Sequence, residues 1–125
     1  MTVTEQPTSV PAREAGAYPP VTDELLAEIV RRATTVGNPL KIVLFGSQAR
    51  GDARPESDLD LLIIEESSLP RYRRSPRYLR ALVGVFPAND VVVWTPAEAA
   101  AWSTVPHAFI TTALREGRVL YERHP

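Results

Sequence analysis

The chain is 125 residues long and 44% hydrophobic, with 14 basic and 15 acidic residues, a formal charge of -1 and no cysteine. So even a balance gives no global field toward nucleic acid or a membrane, and the missing thiols exclude both a disulfide framework and a cysteine-based zinc site. No apolar run approaches 18 residues and no hydrophobic signal region opens the chain, so it is expected to be a cytoplasmic, single-domain protein with a modest core.

Residues 1–20 carry Pro7, Pro11, Pro19 and Pro20 among small and polar residues. Too little apolar surface is available there to offset the entropy of ordering, so a disordered tail is expected, followed by one domain over residues 21–125. Thr22 reads as the N-cap of a helix with Asp23 and Glu24 in its first turn and Val21 stapled onto Leu26. Leu25, Leu26, Ile29, Val30 and Ala33 give it one apolar face for a sheet, and Gly37 with Pro39 ends it.

Residues 41–64, KIVLFGSQARGDARPESDLDLLII, organise the rest. Ile42 to Phe45 and Leu59 to Ile64 are short runs rich in branched residues and read as buried strands. Gly46 ends the first where the backbone must turn, and Ser47 is expected to cap a short turn from Gln48 to Arg50 that Gly51 closes. A helix N-terminus facing a site there would receive phosphate readily. Asp58 and Asp60 are two apart at the mouth of the second strand, so their carboxylates share a face. Such neighbours raise one another's pKa unless they share a proton or meet an arginine or a divalent cation. An isolated D-x-D reads as a solvated strand entrance; preceded by a strand and a Gly-Ser turn it is far more specific.

Glu65 to Leu69 reads as a loop, and Ser75 with Pro76 opens a helix through Tyr78, Leu79, Leu82 and Val83 that ends near Gly84. Arg71, Arg73, Arg74, Arg77 and Arg80 form a basic patch, either a solvated face or a contact for nucleotide phosphates or for an acidic or nucleic-acid partner. Asn89 to Trp94 is a third strand with Asp90 at its start. Thr95 to Glu98 reads as a capping box opening a helix from Pro96 to Trp102, which gives Glu98 a structural task and leaves Asp90 as the third candidate carboxylate. Pro106 to Glu116 is expected as the last helix, with Phe109, Ile110, Ala113 and Leu114 toward the core, and Arg118 to Glu122 as a short strand. Trp94 and Trp102 read as core and helix-packing residues. His107 and His124 lack partners at metal-ligand spacing and read as surface residues.

Gly46-Ser47-Gln48-Ala49-Arg50-Gly51 followed by Ser57-Asp58-Leu59-Asp60-Leu61-Leu62 resembles the signature of the DNA polymerase beta-like nucleotidyltransferase superfamily. More narrowly, it is similar to the minimal nucleotidyltransferases (MNT), many of which are antitoxins paired with HEPN-domain toxins. The resemblance covers about residues 21 to 122. The fold expected is α/β (α+β), a two-layer domain whose mixed sheet carries the carboxylates on an open face and packs helices on the other. Asp58, Asp60 and Asp90 are candidate catalytic ligands for Mg²⁺, two ions in such sites, and Gly46, Ser47 and Arg50 are candidates for holding the nucleotide triphosphate. The resemblance implies transfer of a nucleoside monophosphate, AMP from ATP, to a tyrosine hydroxyl of the HEPN toxin. The alternatives are a non-catalytic antitoxin or nucleotide-binding interaction module, and a transferase acting on a small molecule as aminoglycoside nucleotidyltransferases do. A minimal domain leaves its active face exposed, so a partner or a second copy of the chain is expected to cover it. No membrane or nucleic-acid partner is expected.

Overall fold

In the computed structural model, residues 21–54, 57–85, 89–105 and 108–123 are described. The expected tail, His107, His124 and the first residues of the expected last helix lie outside them. Helix α1, Asp23–Val36, starts where expected: the Thr22 hydroxyl accepts the Leu25 N–H at 3.1 Å, and the Gly37 N–H closes the far end on the Ala33 carbonyl. Its buried stripe is Leu26, Ile29 and Ala33, the i, i+3, i+7 spacing of a helix laid on a sheet.

Strands β1 (Lys41–Phe45), β2 (Leu59–Ile64), β3 (Asn89–Trp94) and β4 (Arg118–Glu122) form one mixed sheet in the order β3-β2-β1-β4. β1 is antiparallel to β2 and to β4, whereas β2 and β3 run parallel. Parallel neighbours need a crossover, supplied by the 3₁₀ turn Arg71–Arg73 and helix α3, Pro76–Ala81. The central strand β2 is apolar at five of its six positions because both of its faces are covered.

One face, with Leu44, Leu59, Leu61, Ile63, Val91 and Val93, packs under α1 and α3. This is the expected helical layer. The other face is not left wholly open: Val43, Leu62, Ile64 and Trp94 form a second cluster with Ile110 and Ala113. Those two belong to helix α5, Phe109–Glu116, which follows helix α4, Pro96–Trp102. Leaving that much apolar surface in water would be costly, and the short helices remove it while sparing the end of the face that carries aspartates.

Several residues expected in the core are partly exposed instead. Of the apolar residues expected along the helix after Ser75, Tyr78 in α3 and Leu82 at its C-cap are buried as an i, i+4 pair, whereas Leu79 is 40% exposed and Val83, past the helix end, 74%. In α5 Ile110 and Ala113 take that role, leaving Leu114 and Phe109 at the flanks, and Trp102 at the end of α4 is half exposed.

The arginine patch is largely structural. Arg74 is buried; its Nε donates to the Leu69 carbonyl at 2.9 Å and its two terminal nitrogens grip both oxygens of Glu98 at 2.7 and 3.2 Å. Glu98 also closes the expected capping box with Thr95. The Arg74 hydrogen bond, with that from the Thr95 N–H, holds the Glu98 carboxyl down at about 2. Arg71 lies over the Trp94 ring at 4.4 Å, and Arg77 pairs with buried Glu65, which also accepts the Asn38 N–H at 2.7 Å. Glu65 and Glu98 follow the C-terminal ends of β2 and β3, whereas the aspartates stand at the N-terminal ends. Five residues of strand separate the two by roughly 16 Å, so Arg71, Arg74 and Arg77 are engaged away from any phosphate at the aspartates.

Candidate active site

Gly46 sits between β1 and the single-turn helix α2, Ser47–Arg50, with φ +75° and ψ -158°, a conformation open to glycine and strained for other residues. The N–H groups of Ala49 and Arg50 both donate to its carbonyl at 3.1 Å. The turn therefore closes on Gly46, which is the N-cap in place of the expected Ser47; Ser47 is the first helical residue and no side chain caps the turn. Gly51, left-handed at φ +85°, ends α2 with its N–H on the Ser47 carbonyl at 3.0 Å. A second constraint acts at Gly46, where an added Cβ would lie 2.4 Å from Asp60 Oδ2. The turn and the aspartate meet at a distance that only a residue without a side chain permits.

Sheet register brings the aspartates into line. Phe45 is opposite Asp60 across the β1–β2 pair, and Asp60 is opposite Asp90 across the β2–β3 pair. Strand alternation puts Asp60 and Asp90 on the face of Leu62, Ile64 and Trp94, the side that α5 covers in part. Asp58 is exposed, just before β2, and its approach is pinned: Gln48 Nε2 donates to the Ser57 carbonyl at 3.1 Å, and the Ser57 hydroxyl accepts the Arg54 N–H at 2.9 Å. Burial, then the charges of Asp90 and Asp58, push the Asp60 carboxyl above its ordinary value, with Arg50 opposing. This field is what a nearby cation would relieve.

The donors are all carboxylate oxygens, which suit a hard divalent cation such as Mg²⁺. Among the described residues no three His, Cys, Asp or Glu side chains are gathered closely enough to enclose a metal ion as they stand. The facing pair Asp60 and Asp90, with Asp58 beside them, would supply two or three ligands, leaving the remainder to water and substrate phosphate, the usual arrangement for Mg²⁺.

Sequence reasoning placed Gly46, Ser47, Arg50, Asp58, Asp60 and Asp90 in one site, and the fold brings them to one end of the sheet. It missed the wall that α5 contributes. A cleft of about 370 Å³ opens beside the turn, with Phe45, Gly46 and Arg50 on one side and Phe109, Thr112 and Glu116 of α5 on the other. The Phe45 and Phe109 rings meet edge to face at 5.1 Å. The spacing 109, 112, 116 is a helical stripe turning from apolar to polar, a signal present in the sequence but indistinguishable there from an ordinary helix flank.

A mixed sheet that ends one strand in a glycine-led turn and begins the next two with facing carboxylates defines a protein that handles phosphate groups. The chain belongs to the nucleotidyltransferase domain family, whose model matches residues 23–112. Among curated proteins none matches. Three solved structures share the fold. One, described as a toxin-antitoxin with AMP-PNP, is 15% identical with a TM-score of 0.55, the match covering 83% of this chain and 76% of that one. Another, a mutant of the toxin-antitoxin MntA-HpeT, is 14% identical with the same score and coverage. The third, a candidate nucleotidyltransferase of Sulfolobus solfataricus, is 20% identical with a TM-score of 0.51, covering 81% of this chain and 77% of that one. All described helices are too short or too polar to cross a membrane.

Proposed function

We propose that the protein is a Mg²⁺-dependent adenylyltransferase that moves AMP from ATP to a tyrosine hydroxyl of a partner HEPN-domain toxin, acting as its antitoxin in the cytoplasm. The observation that carries this reading is the register pairing of Asp60 with Asp90 directly beside the Gly46 turn. Supporting it are the family match and the relative crystallised as a toxin-antitoxin with AMP-PNP.

In the reaction, the acceptor oxygen forms a bond to the α-phosphorus while the bond from that phosphorus to the oxygen bridging to the β-phosphate breaks. Pyrophosphate leaves, and the hydroxyl proton passes to Asp90 or to water. Bound Mg²⁺ would supply charge neutralisation on the phosphates and a lowered pKa for the acceptor hydroxyl. The chain's own part is positioning. The first N–H groups of α2, which have no partner within a helix, and the Ser47 hydroxyl hold the phosphates, with Arg50 at the end of the turn. Asp60 and Asp90, one strand spacing apart, would hold the cation, and the hydrogen bonds that tie Ser57 to Gln48 and to the Arg54 N–H set the position of Asp58 beside them. Little covalent work is asked of the protein, as phosphoryl chemistry allows.

The test is incubation with labelled ATP, Mg²⁺ and the candidate toxin. Label on a toxin tyrosine with wild type, and none with Asp60→Asn or Asp90→Asn, is the expected result. A stoichiometric complex that stays unlabelled with wild type would make the protein a binding antitoxin, and label on an aminoglycoside would make its acceptor a small molecule.

A further inference from the structure

The cleft between the Gly46 turn and α5 has more structure than phosphate binding requires. Its volume of about 370 Å³ is at the lower end of the range for small-molecule clefts, room for a base and a sugar. Gly46 and Arg50 belong both to this cleft and to the turn, so a ligand whose phosphates rest on the turn has its remaining part beside α5. The charge of the cleft orients it: Glu116 repels phosphate from the α5 wall, and Arg50 attracts it to the opposite one. Phe109 is 42% exposed although its neighbours Phe45 and Trp94 are half-buried and buried, so it leaves ring surface uncovered at the rim.

The geometry points to a nucleobase subsite on α5, in which adenine packs against Phe109 and its exocyclic amino group donates a hydrogen bond to Glu116, with the Thr112 hydroxyl beside it. This rests on the nucleotide-transfer reading above and adds the base preference to it. Stacking on an aromatic ring tolerates any base, so selection falls to the polar pair. A carboxylate only accepts hydrogen bonds. With the phosphates on the turn and the base against Phe109 fixing one orientation, adenine presents its 6-amino donor to Glu116 where guanine presents its 6-carbonyl, which would set two acceptors against each other. Among the described residues Glu116 pairs with Arg115 at 3.3 Å, an exposed contact of the kind that yields readily to a ligand.

The experiment is calorimetric titration of the full chain with Mg²⁺ and ATP, GTP or purine riboside triphosphate, which has hydrogen in place of the adenine amino group. No acceptor is present, so binding is read apart from transfer. Wild type is expected to bind ATP about tenfold more tightly than either analogue, the scale of one hydrogen bond to a charged and partly exposed acceptor. Glu116→Ala should bring all three to within about twofold while keeping the wild-type melting temperature, since its side chain is exposed. Equal affinities in wild type, tighter GTP than ATP, or undiminished discrimination in the variant would each overturn the subsite. A preference for ATP without labelling of any acceptor would refute the transfer reading and leave the subsite standing. Equal transfer from ATP and the purine analogue would do the reverse, and no nucleotide binding would overturn both.

Discussion

Asp60 offers the sharpest separation of function from stability. It faces Asp90 in register and follows Asp58 by two residues, and its carboxyl is pushed above the ordinary value by burial and by those two charges. Like charges directly opposed on neighbouring strands destabilise by up to about 1 kcal/mol. Asp60→Asn keeps the shape and removes the charge, so in chelator the variant should be more stable than wild type by roughly 1 kcal/mol, or about 4 °C in melting temperature for a domain of this size. The pH dependence follows with the same sign. Because folding raises this pKa, the native state holds the proton more strongly, and stability falls as pH rises from the unfolded value through the folded one. The wild type should therefore close on the variant as acid is added through that window. With Mg²⁺ at ten times its dissociation constant the wild type gains about 1.4 kcal/mol by linkage while the variant gains little, so the order of stabilities should reverse. The assay is thermal unfolding of both proteins in Mg²⁺ and in chelator, across pH. A variant that is less stable than wild type by the same margin in both would mean that Asp60 is a structural residue and that the cation reading is mistaken.

Two further outcomes test neighbouring parts of the argument. Gly46→Ala should cost about 1–3 kcal/mol for a backbone conformation that is essentially glycine's alone and also abolish ATP binding, because the new methyl displaces Asp60; Gly51→Ala, left-handed with open space around it, should cost about 1–2 kcal/mol of stability alone. Denaturant unfolding and nucleotide titration of the two variants should separate them, and retained binding in Gly46→Ala would refute the close-approach argument. Arg74→Ala should lose about 2–3 kcal/mol by stranding Glu98, whose partial exposure keeps the loss below that of a fully buried pair. Since Glu98 is held down at about 2, the stability it provides is present above its unfolded value near 4.5 and is lost as pH falls toward 2. An Arg74→Ala protein with an unchanged acid profile between those values would show that the pair contributes nothing.

The sequence made legible whatever depends on local pattern. The Thr22 cap, the Thr95–Glu98 capping box and the three apolar strands follow from spacing, and β3 and α4 begin and end at the residues expected. Asp90 was reachable because Glu98 had a visible structural task. What escaped depends on contacts between distant residues. Arg77 and Arg74 find their partners 12 and 24 residues away, which no local pattern reveals, and so a set of clamps reads as a basic patch. The α5 cleft escaped for a related reason: periodicity says which side of a helix meets the sheet, but not which flank borders a cavity. The misplaced cap at Ser47 is a smaller case, in which residue type favours serine while the backbone turns one residue earlier, at a conformation suited to glycine.

The treatment of charge at the two ends of the same strands supports the location of the site. Past the C-terminal ends of β2 and β3, the two carboxylates turned into the protein have arginines, Glu65 with Arg77 and Glu98 with Arg74, and further hydrogen bonds from backbone N–H groups. At the N-terminal ends the same strands begin with Asp58, Asp60 and Asp90, and the cation that opposes their effect on Asp60 is the partly solvated Arg50, itself paired with Asp52 at 3.4 Å. The chain thus has the means to neutralise a carboxylate at this sheet, and uses it at one end alone. Local rules of stability are kept where nothing is bound and broken where a ligand would restore the balance, the pattern expected of a functional site. The glycine at Gly46 sharpens the contrast, for it allows the turn to approach the one aspartate whose charge is most disfavoured. A positively charged ligand set between turn and strand would relieve both that repulsion and the crowding of phosphate against carboxylate, which is why the binding of metal and nucleotide should be cooperative at this end of the sheet.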